Sequence, residues 1–265
     1  MQKYKNYING EFVESKSGNT FVTIDPSTEK DFAEICAAEE FEVNLAVEAA
    51  SNAFKGEWSK ILPYQRAQYL RSIGDQLKEK AELLGTIETK DTGKLYKETK
   101  TQANYIAEYY DYFAGLADKV EGTVVPIDKP DMQVTTTRIP IGVVAAIIPW
   151  NSQMLLTAVK LAPALAMGNT VVIKASELAP VTLLEFGKLI EKTGIPKGVI
   201  NIITGFKPQN IKNELKDSNL YISNNNRFEE VTEKLSTLEK ELENKENRWL
   251  ELLEMEEAIN KENEK

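Results

Sequence analysis

Between Gly142 and Thr204 short, uninterrupted apolar runs alternate with longer segments of helical period. Gly142–Ile148 carries no polar side chain, as expected of a strand buried on both faces. Gln153–Met167 reads as a helix closed by Gly168, because a helix end favours a residue that tolerates the left-handed conformation. Thr170–Lys174 is a second short apolar strand. Pro180–Lys192 is a second helix, with proline in its first turn and Gly194 past its end. Val199–Thr204 is a third strand. Strand, helix, strand, helix, strand leaves few topologies, and the expected fold class is α/β with a truncated doubly wound parallel (Rossmann-like) sheet. Such a sheet takes its ligands at the carboxyl ends of its strands. In a strand order 3-2-1-4-5, Gly142–Ile148 would be central. With no fourth strand legible after Thr204, it becomes an edge with exposed backbone groups, which predicts poor solubility or irregular oligomers.

Upstream the pattern is mixed. Tyr7–Val13 holds two short strands around Asn9-Gly10, a hairpin signal, because both residues accept the positive φ of a tight turn. Residues 41–55, 63–84 and 96–118 show apolar spacing that predicts three helices. Residues 120–139 read as a second hairpin around Lys129-Pro130-Asp131, with the β-branched run Val134–Thr137 in its second strand. The segment Asp31–Ala38 reads as a strand that carries Cys36.

Composition removes whole classes of chemistry. The chain has 265 residues, no His and one Cys. Ser-His-Asp and Cys-His catalysis, imidazole ligation of a metal and His-based pH switching are therefore excluded. No intrachain disulfide or Cys-only zinc site can form, which suits a reducing compartment. The net charge of −9 makes a poor general binder of phosphate backbones, and no nucleic-acid partner is expected for residues 1–206. The apolar run Ile139–Trp150 is broken by Pro140 and Pro149 and falls short of the roughly 20 residues that span a bilayer. MQKYKNYING lacks the apolar core of a signal peptide. The expectation is a soluble, cytoplasmic protein with no membrane partner.

The first of the three strands ends in Pro149-Trp150-Asn151 and the second in Lys174-Ala175-Ser176-Glu177. Together with the whole stretch Pro140–Phe206, these residues resemble the cofactor-binding region of NAD(P)-dependent aldehyde dehydrogenases. The segments YINGEFV, IDPSTEK and ETKDTGK fit the same family. The resemblance covers residues 1–206. It implies a cofactor site formed by Ile148, Pro149, Trp150, Asn151, Lys174, Ser176 and Glu177. It makes the side-chain amide of Asn151 an oxyanion donor and gives Lys160 a supporting catalytic role. Asn also suits a helix N-cap, Trp150 suits core packing, and Lys160 suits an exposed helix face. Lys174 and Glu177 correspond to the pair that holds the adenine-side ribose. A carboxylate there repels a 2′-phosphate, so NAD is expected rather than NADP. The family implies a small-molecule aldehyde as substrate. Its chemistry also needs a Cys nucleophile and a Glu general base, and neither lies in the matched stretch. Cys36 does not match the nucleophile and reads as a small buried hydrophobe.

After Pro208 the character changes: residues 207–265 contain 15 acidic and 10 basic residues, with neither Gly nor Pro beyond Pro208. Residues 207–226 read as a junction and 227–262 as an amphipathic helix, its apolar stripe running from Phe228 through Val231, Leu235, Leu238 and Leu242 to Leu252. Residues 211–258 resemble half of the C-terminal coiled-coil hairpin of ABC-F ATPases. No phosphate-binding GxxxxGK[ST] motif accompanies it. The chain thus reads as an aldehyde dehydrogenase-like region, with residues 120–139 as an oligomerisation-type hairpin, joined to a coiled-coil helix. The expected function is NAD-dependent aldehyde oxidation in truncated form, inactive alone. A coiled-coil scaffold protein, or a chimeric fragment without independent function, are the alternatives, with a homo-oligomer or a coiled-coil partner following from the helix.

Overall fold

The computed structural model describes residues 1–205 and five positions of the tail, Glu233, Ser236, Thr237, Lys240 and Asn244, which are helical and exposed. The stripe Phe228–Leu252 lies outside the described residues, as does nearly all of the coiled-coil-like segment. The chain divides into two units, Met1–Gly205 and Phe206–Lys265.

The first unit is built on a five-stranded sheet. Strands β8 (Val143–Ile147), β9 (Thr170–Ala175) and β10 (Ile200–Thr204) are parallel, joined by helices α5 (Gln153–Ala166) and α6 (Val181–Ile190). The N-terminal hairpin of β2 (Asn6–Ile8) and β3 (Glu11–Val13) adds to this sheet. Tyr7 pairs antiparallel with Ile202, so the strand order is β3-β2-β10-β9-β8. The parallel order follows the sequence expectation, and among the described residues β8 is an edge strand. It is not buried on both faces as its apolar run suggested, since Ala145 and Ile147 are exposed, and the docking of the hairpin on β10 is new. That contact pairs residues at opposite ends of the described body, which no local pattern encodes. Asn9 and Gly10 both take positive φ, the turn geometry expected of them.

One face of the sheet is covered by α1 (Glu40–Lys55), whose Ala46, Ala49 and Ala50 pack with Ile8, Val172 and Ile203. Glu42 closes the start of this helix by accepting the N–H of Glu39 at 2.8 Å, and it also accepts the N–H of Lys16 at 2.8 Å. On the other face Leu161, Leu165, Leu183 and Phe186 of α5 and α6 join Val171, Ile173, Ile200 and Ile202 in the main core. Beyond them lie α2 (Pro63–Glu79), α3 (Ala81–Thr92) and α4 (Tyr96–Leu116). The expected single helix over 63–84 is two, broken at Lys80, whose ψ of 15° leaves the helical range. Leu77 and Leu84 are both buried across the break, so the apolar period continues through a bend that spacing cannot reveal. The bend brings Gly85 against α4 so closely that a Cβ there would lie 2.8 Å from the Lys100 Cα.

A second sheet, absent from the sequence reading apart from the Cys36 strand, has the order β1-β5-β4: β1 (Gln2–Tyr4), β4 (Thr20–Asp25) and β5 (Lys30–Cys36). The second hairpin is present with strands of two residues each, β6 (Val124–Val125) and β7 (Val134–Thr135), and it is exposed throughout. No helix among the described residues is long and apolar enough to cross a membrane.

Candidate functional site at the ends of β8 and β9

The carboxyl ends of β8 and β9 lie side by side, tied by the bond from the Ile148 N–H to the Lys174 carbonyl at 3.0 Å. Ile148 is buried, whereas Pro149, Trp150 and Asn151 are exposed, Trp150 by 50%. Core packing therefore does not account for Trp150. Nor is Asn151 the helix cap: that position is Ser152, one residue on, and no side-chain cap bond forms there. The Asn151 amide has no hydrogen-bond partner among the described residues, which leaves both its donors to whatever occupies the strand end.

Across from it, Lys174 Nζ lies 2.6 Å from Glu177 Oε2. The two side chains are 23% and 9% exposed, so this is a partly sheltered pair whose ammonium still reaches solvent. Ser176 is buried, and its hydroxyl accepts the Leu178 N–H at 3.3 Å, which shapes the turn that carries Glu177. Lys160 is exposed on α5, nine residues beyond Asn151. Seven of the eight expected site residues thus sit at the two strand ends, and Lys160 lies on the helix that follows the first of them.

Beneath the site is a polar layer for which the sequence reading assigned no roles. Lys94, just past the end of α3, donates to Ser152 Oγ at 3.0 Å and to Gln102 Oε1 at 2.9 Å. It lies 3.9 Å from Glu88, which is buried and whose carboxyl is pushed up to about 7, chiefly by that burial. Asp91, also buried, accepts the Val181 N–H at 2.8 Å and the Thr23 hydroxyl at 3.2 Å, so it anchors the start of α6. Burial raises its carboxyl to about 7 as well. Gln153 donates to the Ala179 carbonyl, joining the start of α5 to the loop before α6. The signal in the sequence was the spacing of Glu88, Asp91 and Lys94, three residues apart within the segment ETKDTGK, between the expected helices 63–84 and 96–118.

Cys36 is 1% exposed, and burial pushes its thiol up. Its carbonyl accepts the Thr204 hydroxyl at 2.7 Å, so it lies near the carboxyl end of β10 despite its distance in sequence. β9 still stands between that end and β8. Among the described residues no cluster of acidic or sulfur ligands could hold a metal.

A parallel sheet with crossover helices, a polar constellation at its strand ends and no phosphate-binding glycine loop defines a dinucleotide-type α/β domain outside the common glycine-fingerprint group. The chain belongs to the aldehyde dehydrogenase family, whose pattern it matches over residues 12–219. It is 51% identical over 210 residues to (Z)-2-((N-methylformamido)methylene)-5-hydroxybutyrolactone dehydrogenase of Acinetobacter baylyi, covering 79% of this chain and 43% of that protein. Among solved structures it is similar to an NAD+ complex of a Bacillus cereus aldehyde dehydrogenase, with 38% identity, a TM-score of 0.76, and coverage of 78% and 42%. It is also similar to a betaine aldehyde dehydrogenase of Staphylococcus aureus in complex with NAD+, with 38% identity, a TM-score of 0.74, and coverage of 77% and 42%. The chain spans less than half the length of these relatives.

Proposed function

We propose that the first unit is the cofactor-binding region of an NAD-dependent aldehyde dehydrogenase, and that it holds the adenosine half of NAD at the ends of β8 and β9. The carrying observation is the Lys174–Glu177 pair at 2.6 Å, set at a strand end beside the exposed Trp150 and the unpartnered Asn151. Glu177 accepts from ribose hydroxyls and Lys174 donates to them, which is the donor and acceptor set a vicinal diol needs. The Glu177 carboxylate disfavours the 2′-phosphate of NADP. Pro149 and Trp150 flank the cofactor, and Ser176 shapes the turn that carries Glu177. Bound NAD supplies the hydride acceptor for aldehyde oxidation. Asn151 offers N–H donors to a developing oxyanion, where a fixed donor is most effective.

An oxyanion forms only after a nucleophile attacks, and the one thiol of the 265 residues is buried in β5 with its pKa raised. No His is present to activate a hydroxyl in its place. We therefore propose that this chain alone does not oxidise aldehydes. The exposed hairpin 120–139 suits self-association, and the chain fits a cytoplasmic setting.

Calorimetry of NAD and NADP with the full chain tests the binding half of this reading. The expected NAD affinity is millimolar rather than micromolar, a difference of about 4 kcal/mol, because the described strand ends offer partners to the adenosine half alone. NADP should bind more weakly, and Glu177→Ala should weaken NAD. Micromolar NAD binding that Glu177→Ala leaves unchanged would place the cofactor elsewhere. NADH formation with propanal and benzaldehyde should match buffer alone. Turnover abolished by Cys36→Ser would overturn the inactivity.

A further inference from the structure

A cleft of about 560 Å³ opens at the amino ends of β8 and β9, the side of the sheet opposite the cofactor residues. Pro140 and Gly168, which precede these two strands, are in its wall. Phe54 and Met167 line it with apolar surface, backed by Trp58, which is itself 1% exposed, and Lys55, Arg66 and Arg138 bring three cations to it. The ring of Trp58 is fixed by a bond from its Nε1 to the Asn169 carbonyl at 3.1 Å. Arg66 is half-buried and its plane is also fixed: Nε donates to the Ala166 carbonyl at 3.0 Å and Nη1 to the Ile61 carbonyl at 2.9 Å. Its other N–H donors have no protein acceptor among the described residues. Among the described residues none of the three cations forms an ion pair. The acid in the cleft wall, Asp118, is paired with Lys119. Burial lowers the Arg66 pKa, the mark of a charge separated from water without a counter-charge.

A fixed guanidinium with unused donors, two further cations and an apolar wall of Phe54 and Met167 suit an anionic ligand with an apolar body. We propose that this cleft binds a small organic carboxylate with an aromatic body. The carboxylate takes the open N–H groups of Arg66, with Arg138 and Lys55 at the rim, and the ring lies against Phe54 and Met167. A guanidinium is planar and matches a carboxylate in two parallel bonds. A free phosphate would use the charge but leave the apolar walls wet. The cleft volume is within the roughly 300–1,000 Å³ typical of small-molecule sites. This inference does not depend on NAD binding, which involves the other end of the strands.

The test is calorimetric titration of 2-naphthoate into the full chain, with 2-naphthalenemethanol and inorganic phosphate as controls. Saturable naphthoate binding is expected, with the uncharged alcohol at least about tenfold weaker because it lacks the charge-assisted bonds, and with phosphate weaker still. Arg66→Lys keeps the charge and loses the fork, and should weaken naphthoate by about tenfold. Arg66 also braces two carbonyls, so Arg138→Gln, at an exposed position, provides a second reading: several-fold weaker binding with an unchanged melting temperature. Three results would overturn the proposal: no naphthoate binding by the folded chain, equal binding of the alcohol, or wild-type binding by Arg138→Gln.

Discussion

β8 and β9 are both short apolar strands that end in site residues, yet they stand in opposite situations. β9 lies between β8 and β10, and of Thr170–Ala175 only Lys174 is even partly exposed. Among the described residues β8 has β9 alone; Ala145 and Ile147 are exposed, Ile147 by 66%. Gly142 and Ile148 direct their ladder bonds to β9, so by the alternation of a parallel ladder the N–H and C=O groups of Val143, Ala145 and Ile147 face outward. Similar composition thus gives a sheltered strand or an open one according to the number of neighbours. The consequence for the site is an asymmetry: Lys174, Ser176 and Glu177 stand on a strand braced on both sides, and Pro149, Trp150 and Asn151 on one braced from one side.

The largest test of that contrast is truncation on each strand. Ile173→Ala removes a side chain with no exposure and should cost about 2–5 kcal/mol, read as a fall in the denaturation midpoint. Ile147→Ala on β8 should change stability by less than about 0.5 kcal/mol. Equal losses would mean that something covers β8 in solution.

The polar layer at the starts of α5 and α6 yields a pH dependence. Glu88 titrates near 7 in the folded chain, above the ordinary value of 4.5, because burial disfavours its charge. Between those two values the folded state holds a proton that the unfolded chain has released. Its contribution to stability is therefore present below about pH 4.5, declines as pH rises, and levels off above about pH 7. Glu88→Gln cannot ionise. Relative to that variant the wild type should lose up to about 3–4 kcal/mol across the window, measured by chemical denaturation at fixed pH steps. A constant difference between the two proteins would show that Glu88 titrates normally.

The smallest effect on folding, and the clearest on assembly, is expected at the open edge itself. Ile147→Lys places a charge where an edge strand is commonly protected. It should sharpen the size-exclusion profile toward monomer while leaving the melting temperature within a few degrees of wild type, consistent with a surface substitution. A wild-type chain that already elutes as a sharp monomer would contradict an exposed, adhesive β8.

Much of this architecture was legible in the chain. The Asn9-Gly10 turn, the alternation from Gly142 to Thr204 and the helix ends at Gly168 and Gly194 are local signals, and each element appears within a few residues of its expected place. The pairing of Tyr7 with Ile202 was not legible, because strand partners far apart in sequence leave no periodic trace. Nor was the break at Lys80, since the buried positions keep their helical spacing through it. At the site, strand-end position exposes Trp150 and Asn151 and shelters Glu177. The bond from Lys94 to Ser152 joins two loops 58 residues apart, and only the folded chain shows it.

The central proposal is that the described strand ends of β8 and β9 hold the adenosine half of NAD. Saturation-transfer difference NMR on the full chain with excess NAD reads each end of the cofactor separately. The account predicts strong transfer to the adenine and adjoining ribose protons, weak transfer to the nicotinamide protons, and loss of the adenine signal in Glu177→Ala. Nicotinamide transfer equal to adenine transfer, or an adenine signal that survives Glu177→Ala, would contradict it.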